Sequence, residues 1–276
     1  MKNIRITFIG CGNMGRSLIG GLIADGYPAN NLCGTDIDPG QREFAASQYG
    51  IEVFEDNLQA ISGTDVVVLA VKPQVMERTI SGLRAVLTDE RPLLISIAAG
   101  IRMTDLARWA GEDIAIVRVM PNTPTLIRTG AAALCANRNV SELQRNTAEA
   151  IMRSVGIVLW LEDESLMDIV TALSGSGPAY YFLIMEIMEK AAIRLGLPME
   201  HARILTLQTA FGAAKMALES NHDPATLRKQ VTSPGGTTEQ ALKVLHNGGL
   251  EKLFSEALEA AKDRSIELAR ILGGEK

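Results

Sequence analysis

The 276-residue chain has little cysteine, little histidine and almost no surplus of charge, and each scarcity removes a class of function. Its three cysteines, Cys11, Cys33 and Cys135, are odd in number, widely spaced and never arranged as Cys-x-x-Cys, so neither a disulfide framework nor a zinc site is indicated. That usage fits a reducing cytoplasm. The three histidines, His201, His222 and His246, sit in no metal or triad pattern, and none is assigned to catalysis. With 27 Lys and Arg against 32 Asp and Glu, the formal charge is -5. Both signs are interspersed, which leaves no basic stripe for a nucleic-acid backbone. No stretch reaches the roughly 18 apolar residues of a membrane span, and the apolar run ending at Gly10 is too short for a secretory signal. There is no Gly/Ser-rich linker, low-complexity tract or repeat. The expectation is a cytoplasmic protein with no metal and no nucleic-acid or membrane partner.

What is present is an ordinary apolar fraction, 47%, in a chain long enough for two domains or one large one. From Ile4 to Leu161, short β-branched runs alternate with helical stretches, the pattern of a parallel sheet covered by helices on both faces. The expected strands are Ile4 to Ile9, Asn31 to Asp36, Glu52 to Phe54, Asp65 to Val71, Leu93 to Ala98, Ile114 to Met120, Ala131 to Ala136 and Gly156 to Leu161. Val66 to Val71 is apolar on both faces, so that strand is central. Beyond Leu161 the chain reads as helices only: Ser165 to Leu173, Ala179 to Leu195, Glu200 to Glu219, Ala225 to Val231, Thr237 to His246 and Leu250 to Leu272. Two domains are therefore expected, residues 1–162 and 163–276, the second all-helical. Ala179 to Met185 is apolar nearly all round, and Thr206 to Ala217 is rich in Ala and Gly. Such helices need burial on more than one side, which predicts a homodimer built through the helical domain.

Several motifs carry chemistry. Gly10-Cys11-Gly12-Asn13-Met14-Gly15 follows the first strand and opens a helix, the setting of a dinucleotide fingerprint. Gly10 allows the tight turn, Gly12 the approach of a pyrophosphate and Gly15 close helix packing. Asp36 ends the second strand, 21 residues after Gly15, where a carboxylate would bind a ribose 2′-hydroxyl and repel a 2′-phosphate. That rule alone points to NAD; Arg42 lies close by, however, so the preference stays open. Ala70-Val71-Lys72-Pro73 and Ala98-Ala99-Gly100 end two further strands on the same edge of the sheet and are natural walls for ribose and nicotinamide. In Met120-Pro121-Asn122-Thr123-Pro124, Asn122 is placed to donate to the nicotinamide amide or to cap a turn. Leu173 to Ala179 interrupts two apolar helices with small residues, so something approaches that backbone closely. Val231 to Glu239 is a Gly-rich loop opening a helix; its N–H groups form either a carboxylate site or an ordinary helix cap with Thr237 or Ser233.

Together these residues resemble the pyrroline-5-carboxylate reductase family along essentially the whole chain. The likeness rests on Gly10 to Gly15, Ala70 to Pro73, Ser96 to Gly100, Met120 to Pro124, Leu173 to Tyr180 and Thr232 to Thr238, the last two being highly specific in combination. It implies an α/β fold, a Rossmann-type doubly wound sheet followed by an all-helical dimerisation domain, with dimers that in this family often build a ring-shaped decamer of five. It also implies an active site between one subunit's Rossmann domain and the helical domains of the dimer. By motif match the cofactor, NADPH with NADH as alternative, falls to Gly10, Cys11, Gly12, Asn13, Met14, Asp36, Asn57, Ala70, Val71, Lys72, Pro73, Ala98, Ala99 and Asn122, with Glu164 reaching it as well. The substrate falls to Ser233, Gly235, Gly236, Thr237 and Thr238. Asn221 stands where members often have an acidic residue and Gln230 where some have Asn.

The implied reaction is hydride transfer to the carbon of a cyclic imine, giving L-proline as the last step of its biosynthesis. A protonated iminium needs orientation, a dry pocket and a hydrogen bond at nitrogen more than a strong acid. Thr238 is the residue expected to hold that nitrogen. One rival is a β-hydroxyacid dehydrogenase, whose lysine would stand four residues after Gly177; Tyr181 stands there, and no lysine follows until Lys190. The other rival, a non-catalytic NAD(P)-binding regulator, would not need a second anion site at residues 233–238.

Overall fold

The structure, a computed structural model, describes residues 4–274. Its strands are β1 (Ile6–Ile9), β2 (Leu32–Thr35), β3 (Glu52–Phe54), β4 (Val66–Leu69), β5 (Leu93–Ser96), β6 (Ile116–Met120), β7 (Gly130–Ala136) and β8 (Gly156–Trp160). The helices among and after them are α1 (Asn13–Ala24), α2 (Pro39–Tyr49), α3 (Asn57–Ile61), α4 (Met76–Glu90), α5 (Met103–Ala110), α6 (Glu142–Arg153), α7 (Met167–Val170), α8 (Gly177–Arg194), α9 (Met199–Glu219), α10 (Pro224–Gln230), α11 (Thr237–Asn247) and α12 (Leu250–Leu272). All eight expected strands are present, most of them shorter at their ends. The sheet order is β3-β2-β1-β4-β5-β6-β7-β8.

Alternation along each strand builds two cores. Ile6 and Phe8 of β1, Val66 and Val68 of β4 and Leu93 and Ile95 of β5 meet Leu18, Ile19 and Leu22 of α1 and Ile151 of α6 on one face. Ile9, Val67, Leu69 and Leu94 meet Met76, Ile80 and Leu83 of α4 and Leu106 and Trp109 of α5 on the other. The period-two pattern thus delivers opposite neighbours to opposite layers, which is why β4 can be apolar throughout.

β7 departs from the all-parallel expectation: it runs antiparallel to β6, and β8 runs parallel to β7. The cause is the connection. Residues 121–129 hold only a short 3₁₀ turn, Thr123–Ile127, too little for the crossover that a parallel neighbour requires, whereas α6 supplies one between β7 and β8.

Two compact units result. The first runs to Ser176 and takes back the chain from Ala261 onward; the second is Gly177–Ala260. Residues 163–176 stay with the sheet because Met167 enters the core beneath it and Ser265 of α12 donates to Asp168, 2.6 Å. Leu272 packs against the same core. In the second unit the long helices are bare. Of α8 only Gly177 is buried, and of α9 only Ala202 and Thr206, while Tyr181, Phe182, Ile204, Phe211 and Leu218 stand 62–80% exposed. Among the described residues no helix is long and apolar enough to cross a membrane.

Candidate functional site

The site is built where β1, β2 and β4 end. Gly10 has φ +103°, and a Cβ there would lie 2.7 Å from the Ala70 carbonyl oxygen, so the turn out of β1 admits no other residue. Gly15 serves packing: its Cβ would meet the Gly10 carbonyl oxygen at 2.2 Å. Gly12, the N-cap residue of α1, is the opposite case, with nothing within 4 Å of where a Cβ would be. No side chain caps this helix. Open space over Gly12, uncapped N–H groups and the partial positive charge of a helix start are what a pyrophosphate requires, so these residues fit a dinucleotide.

Cys11 sits in this loop with its side chain fully buried against Gly34 of β2. Burial, with Asp36 nearby, pushes its thiol up to about 12, so it is neither a nucleophile nor an acid at neutral pH. Its backbone N–H donates to Asp36 Oδ2, 2.9 Å, and Asp36 Oδ1 accepts from the Asp38 N–H, 3.0 Å. Asp36 therefore pins the glycine loop. Asn13 is exposed, with Oδ1 accepting from Arg16, 2.9 Å; the half-buried Met14 takes the Thr125 hydroxyl on its sulfur, 3.1 Å.

Beside the loop opens a pocket of about 390 Å³ whose walls include Gly10, Asp36, Asn57 and Val71 from the sequence expectation. Thr35, buried at the end of β2, donates its hydroxyl to Asn57 Oδ1, 2.7 Å. That bond orients the amide and leaves its NH2 for an acceptor in the pocket. Ala70 is half-buried behind Gly10, and Lys72 is exposed before the turn at Pro73–Val75. Ala98 is buried at the end of β5, with Ala99 exposed after it.

Sequence reasoning missed Ile37, Leu58, Val75, Arg78 and Thr79, which also line this pocket. The strand-end rule marked the end of β4 but not which face of the following helix turns inward, and that depends on α4 starting at Met76.

Two residues expected at the cofactor are committed within the chain. Asn122 accepts the Ala131 N–H on Oδ1, 2.9 Å, and donates through Nδ2 to the Ser174 carbonyl, 3.3 Å, and hydroxyl, 3.4 Å. Its amide fastens the loop after β6 to the small-residue stretch before α8. There the chain makes one π turn, Thr171–Gly175, with the Ser176 N–H on the Thr171 carbonyl, 2.8 Å. What approaches this backbone closely is Met120, whose Cε would lie 2.3 Å from a Cβ at Gly175. Two motifs that stand apart in the sequence thus pack on each other. Glu164 likewise accepts from Arg118, 2.6 Å, and from the Met103 N–H, 2.7 Å, on the same Oε1. Its second oxygen has no bond with a described residue.

The second unit presents the loop before α11. Gly235 has φ +71°, and the helix starts at Thr237 with Gly236 as N-cap and no side-chain cap. Two N–H groups of this loop are engaged within it: Gly235 donates to Glu239 Oε2, 2.8 Å, and Gly236 to the Ser233 carbonyl, 3.0 Å. The Thr237 and Thr238 N–H groups are uncapped. Thr238 is half-buried and Ser233 exposed.

Comparison with known proteins matches two family models. One, for pyrroline-5-carboxylate reductase dimerisation, covers residues 164–268; the other, for NADP oxidoreductases dependent on coenzyme F420, covers residues 5–100. A pyrroline-5-carboxylate reductase of Pseudomonas aeruginosa is 51% identical over 273 residues, 99% of this chain and all of that one. One from Arabidopsis thaliana is 36% identical, covering 98% of this chain and 97% of its own. Among solved structures, a pyrroline-5-carboxylate reductase from Coxiella burnetii superposes with a TM-score of 0.93 at 48% identity, over 96% of this chain and 98% of that one. The Plasmodium falciparum pyrroline carboxylate reductase with NADP bound reaches 0.86 at 31% identity, over 98% and 99%.

Proposed function

The chain belongs to the pyrroline-5-carboxylate reductase family, and from that premise we infer that it reduces 1-pyrroline-5-carboxylate to L-proline with hydride from NADPH, the last step of proline biosynthesis. The observation that carries this reading is the end-to-end match at 51% identity, which takes in the dinucleotide loop of one unit and the Gly-rich loop of the other.

The nicotinamide, when bound, supplies the hydride. The rest is orientation by the chain's own groups. The uncapped start of α1 and the open face of Gly12 take the pyrophosphate, Asn57 offers its free NH2 to the adenosine half, and Asp36 holds the loop in register through Cys11. At the other loop, the N–H groups of Thr237 and Thr238 start the hold on the substrate carboxylate. Gly235 and Gly236 add theirs only if the Glu239 and Ser233 bonds give way. The Thr238 hydroxyl bonds the ring nitrogen, so that the imine carbon faces the nicotinamide and the nitrogen keeps its proton. Asn122 and Glu164 support the site from behind, through Ser174 and through Arg118 and the Met103 N–H.

The chain acts as a cytoplasmic homodimer through α8 and α9, and five dimers form a decamer. Supporting the dimer is the bare apolar surface of these helices, since burying each large side chain is worth about 1.5–3 kcal/mol. The test is the loss of near-ultraviolet absorbance of NADPH on adding 1-pyrroline-5-carboxylate, with proline identified as product. Cofactor binding without oxidation would refute the assignment.

A further inference from the structure

The pocket beside Gly10 has a charge pattern that its cofactor must satisfy. Its walls carry three carboxylates, Asp36, Glu55 and Asp56, and one cation, Arg78. NADPH differs from NADH by a 2′-phosphate, which brings nearly two negative charges to the ribose and needs a cation opposite it. The sequence offers Arg42, six residues after Asp36, but the structure commits that side chain elsewhere. Arg42 Nη1 donates to the Asp36 carbonyl oxygen, 2.7 Å, and Nη2 pairs with Glu55 Oε2, 3.2 Å, leaving the side chain 18% exposed.

The carboxylates are committed too. Asp36 accepts from the Cys11 and Asp38 N–H groups, and Asp56 caps α3 by accepting from the Leu58 N–H, 2.9 Å. Backbone donors disperse both charges, and Glu55 is paired. Arg78, third residue of α4, is exposed on the pocket wall between Val75 and Thr79, with no hydrogen bond or ion pair to a described residue. Among the described residues it is the one charge in the lining without a partner, and its sign is the one a phosphate requires.

We propose that Arg78 binds the 2′-phosphate of NADPH and sets the preference of this reductase for the phosphorylated cofactor. A planar guanidinium with five donors suits a phosphate in two-point contact, and it enters the same lining as Asp36 from a different element, α4. The proposal rests on the reductase reading above. It adds that discrimination lies on the helix after β4, away from the end of β2 where the sequence rule looks.

The test is calorimetric binding of adenosine 2′,5′-bisphosphate and of adenosine 5′-monophosphate to the full-length protein, wild type, Arg78→Gln and Arg78→Lys. Arg78→Gln is expected to weaken the bisphosphate about 10-fold or more and to leave the monophosphate within about twofold, with Arg78→Lys in between. In turnover, KM for NADPH should rise by a similar factor while KM for NADH and both kcat values hold. Equal weakening of the two nucleotides would overturn the proposal by assigning Arg78 to the base, and so would an unchanged bisphosphate affinity. Wild-type oxidation of NADPH by 1-pyrroline-5-carboxylate, measured alongside, keeps the function itself separate from either result.

Discussion

Replacing Gly34 with alanine should destabilise the dinucleotide unit, and replacing Cys11 at the same time should restore it. A methyl at Gly34 would stand 2.6 Å from Cys11 Sγ and 3.3 Å from Ile51 Cδ1. Non-bonded atoms rest at about 3.5–4.0 Å, so sulfur or strand must yield by about 1 Å. Neither is free to do so. Cys11 is held by its N–H on Asp36, and Gly10 beside it by its N–H on the Thr35 carbonyl, 2.8 Å. Overpacking of this kind costs about 1–3 kcal/mol, of which about 0.5–1 returns because alanine loses less backbone entropy than glycine in a strand. Gly34→Ala should therefore cost about 0.5–2 kcal/mol net. Cys11→Ala should cost about 1 kcal/mol, by analogy with removal of one buried methyl. In the double variant the new methyl enters the space the sulfur left, so the cost falls well below the sum, a coupling of about 1–3 kcal/mol. Urea unfolding followed by tryptophan fluorescence reads this unit alone, because both tryptophans, Trp109 and Trp160, belong to it. Additivity within about 0.5 kcal/mol would refute the packing argument.

Three further outcomes are expected. Thr238→Ala should lower turnover about 100-fold or more with cofactor affinity little changed, and a kcat within about threefold of wild type would remove Thr238 from the reaction. Burial raises Cys11 from 9.0 to about 12 and Cys33 from 9.0 to about 11. A raised folded-state pKa contributes stability that is complete below pH 9 and is lost as pH climbs toward those values. Between about pH 8 and pH 10.5 the wild type should lose about 2 kcal/mol more than Cys11→Ala in urea unfolding, and parallel losses would show that the thiol ionises freely. Phe182→Glu, on the bare face of α8, should convert the proposed dimer to monomer in a solution mass measurement, and an unchanged mass would place the interface elsewhere.

The extent to which site and fold could be read in the sequence follows the range of the forces involved. Gly10 to Gly15 was legible because tight turn, close approach and helix start are all local demands, met within six residues. Asp36 was legible as a position, through strand spacing, but its bonds to Cys11 and Asp38 were not, since the Cys11 bond crosses from β2 to the loop after β1. Asn122 and the stretch 173–177 were each conspicuous, yet nothing in either told that they bind one another. The short connection 121–129 was visible, although the strands on either side were read as parallel. Arg78 gave no signal at all, because a lone arginine on a helix matters only once its neighbours show which charges are spent.

By itself the sequence determined the eight strands, the two-layer wrapping of the sheet, the all-helical second part and the glycine turn into α1, because periodicity, turn chemistry and helix starts act over a few residues. Tertiary structure alone decided the direction of β7 and the return of α12 to the sheet unit. It also decided the partners of Asn122 and Glu164, and which of two nearby arginines stays unpaired. Those outcomes depend on distances between segments far apart in the chain, and only packing sets such distances.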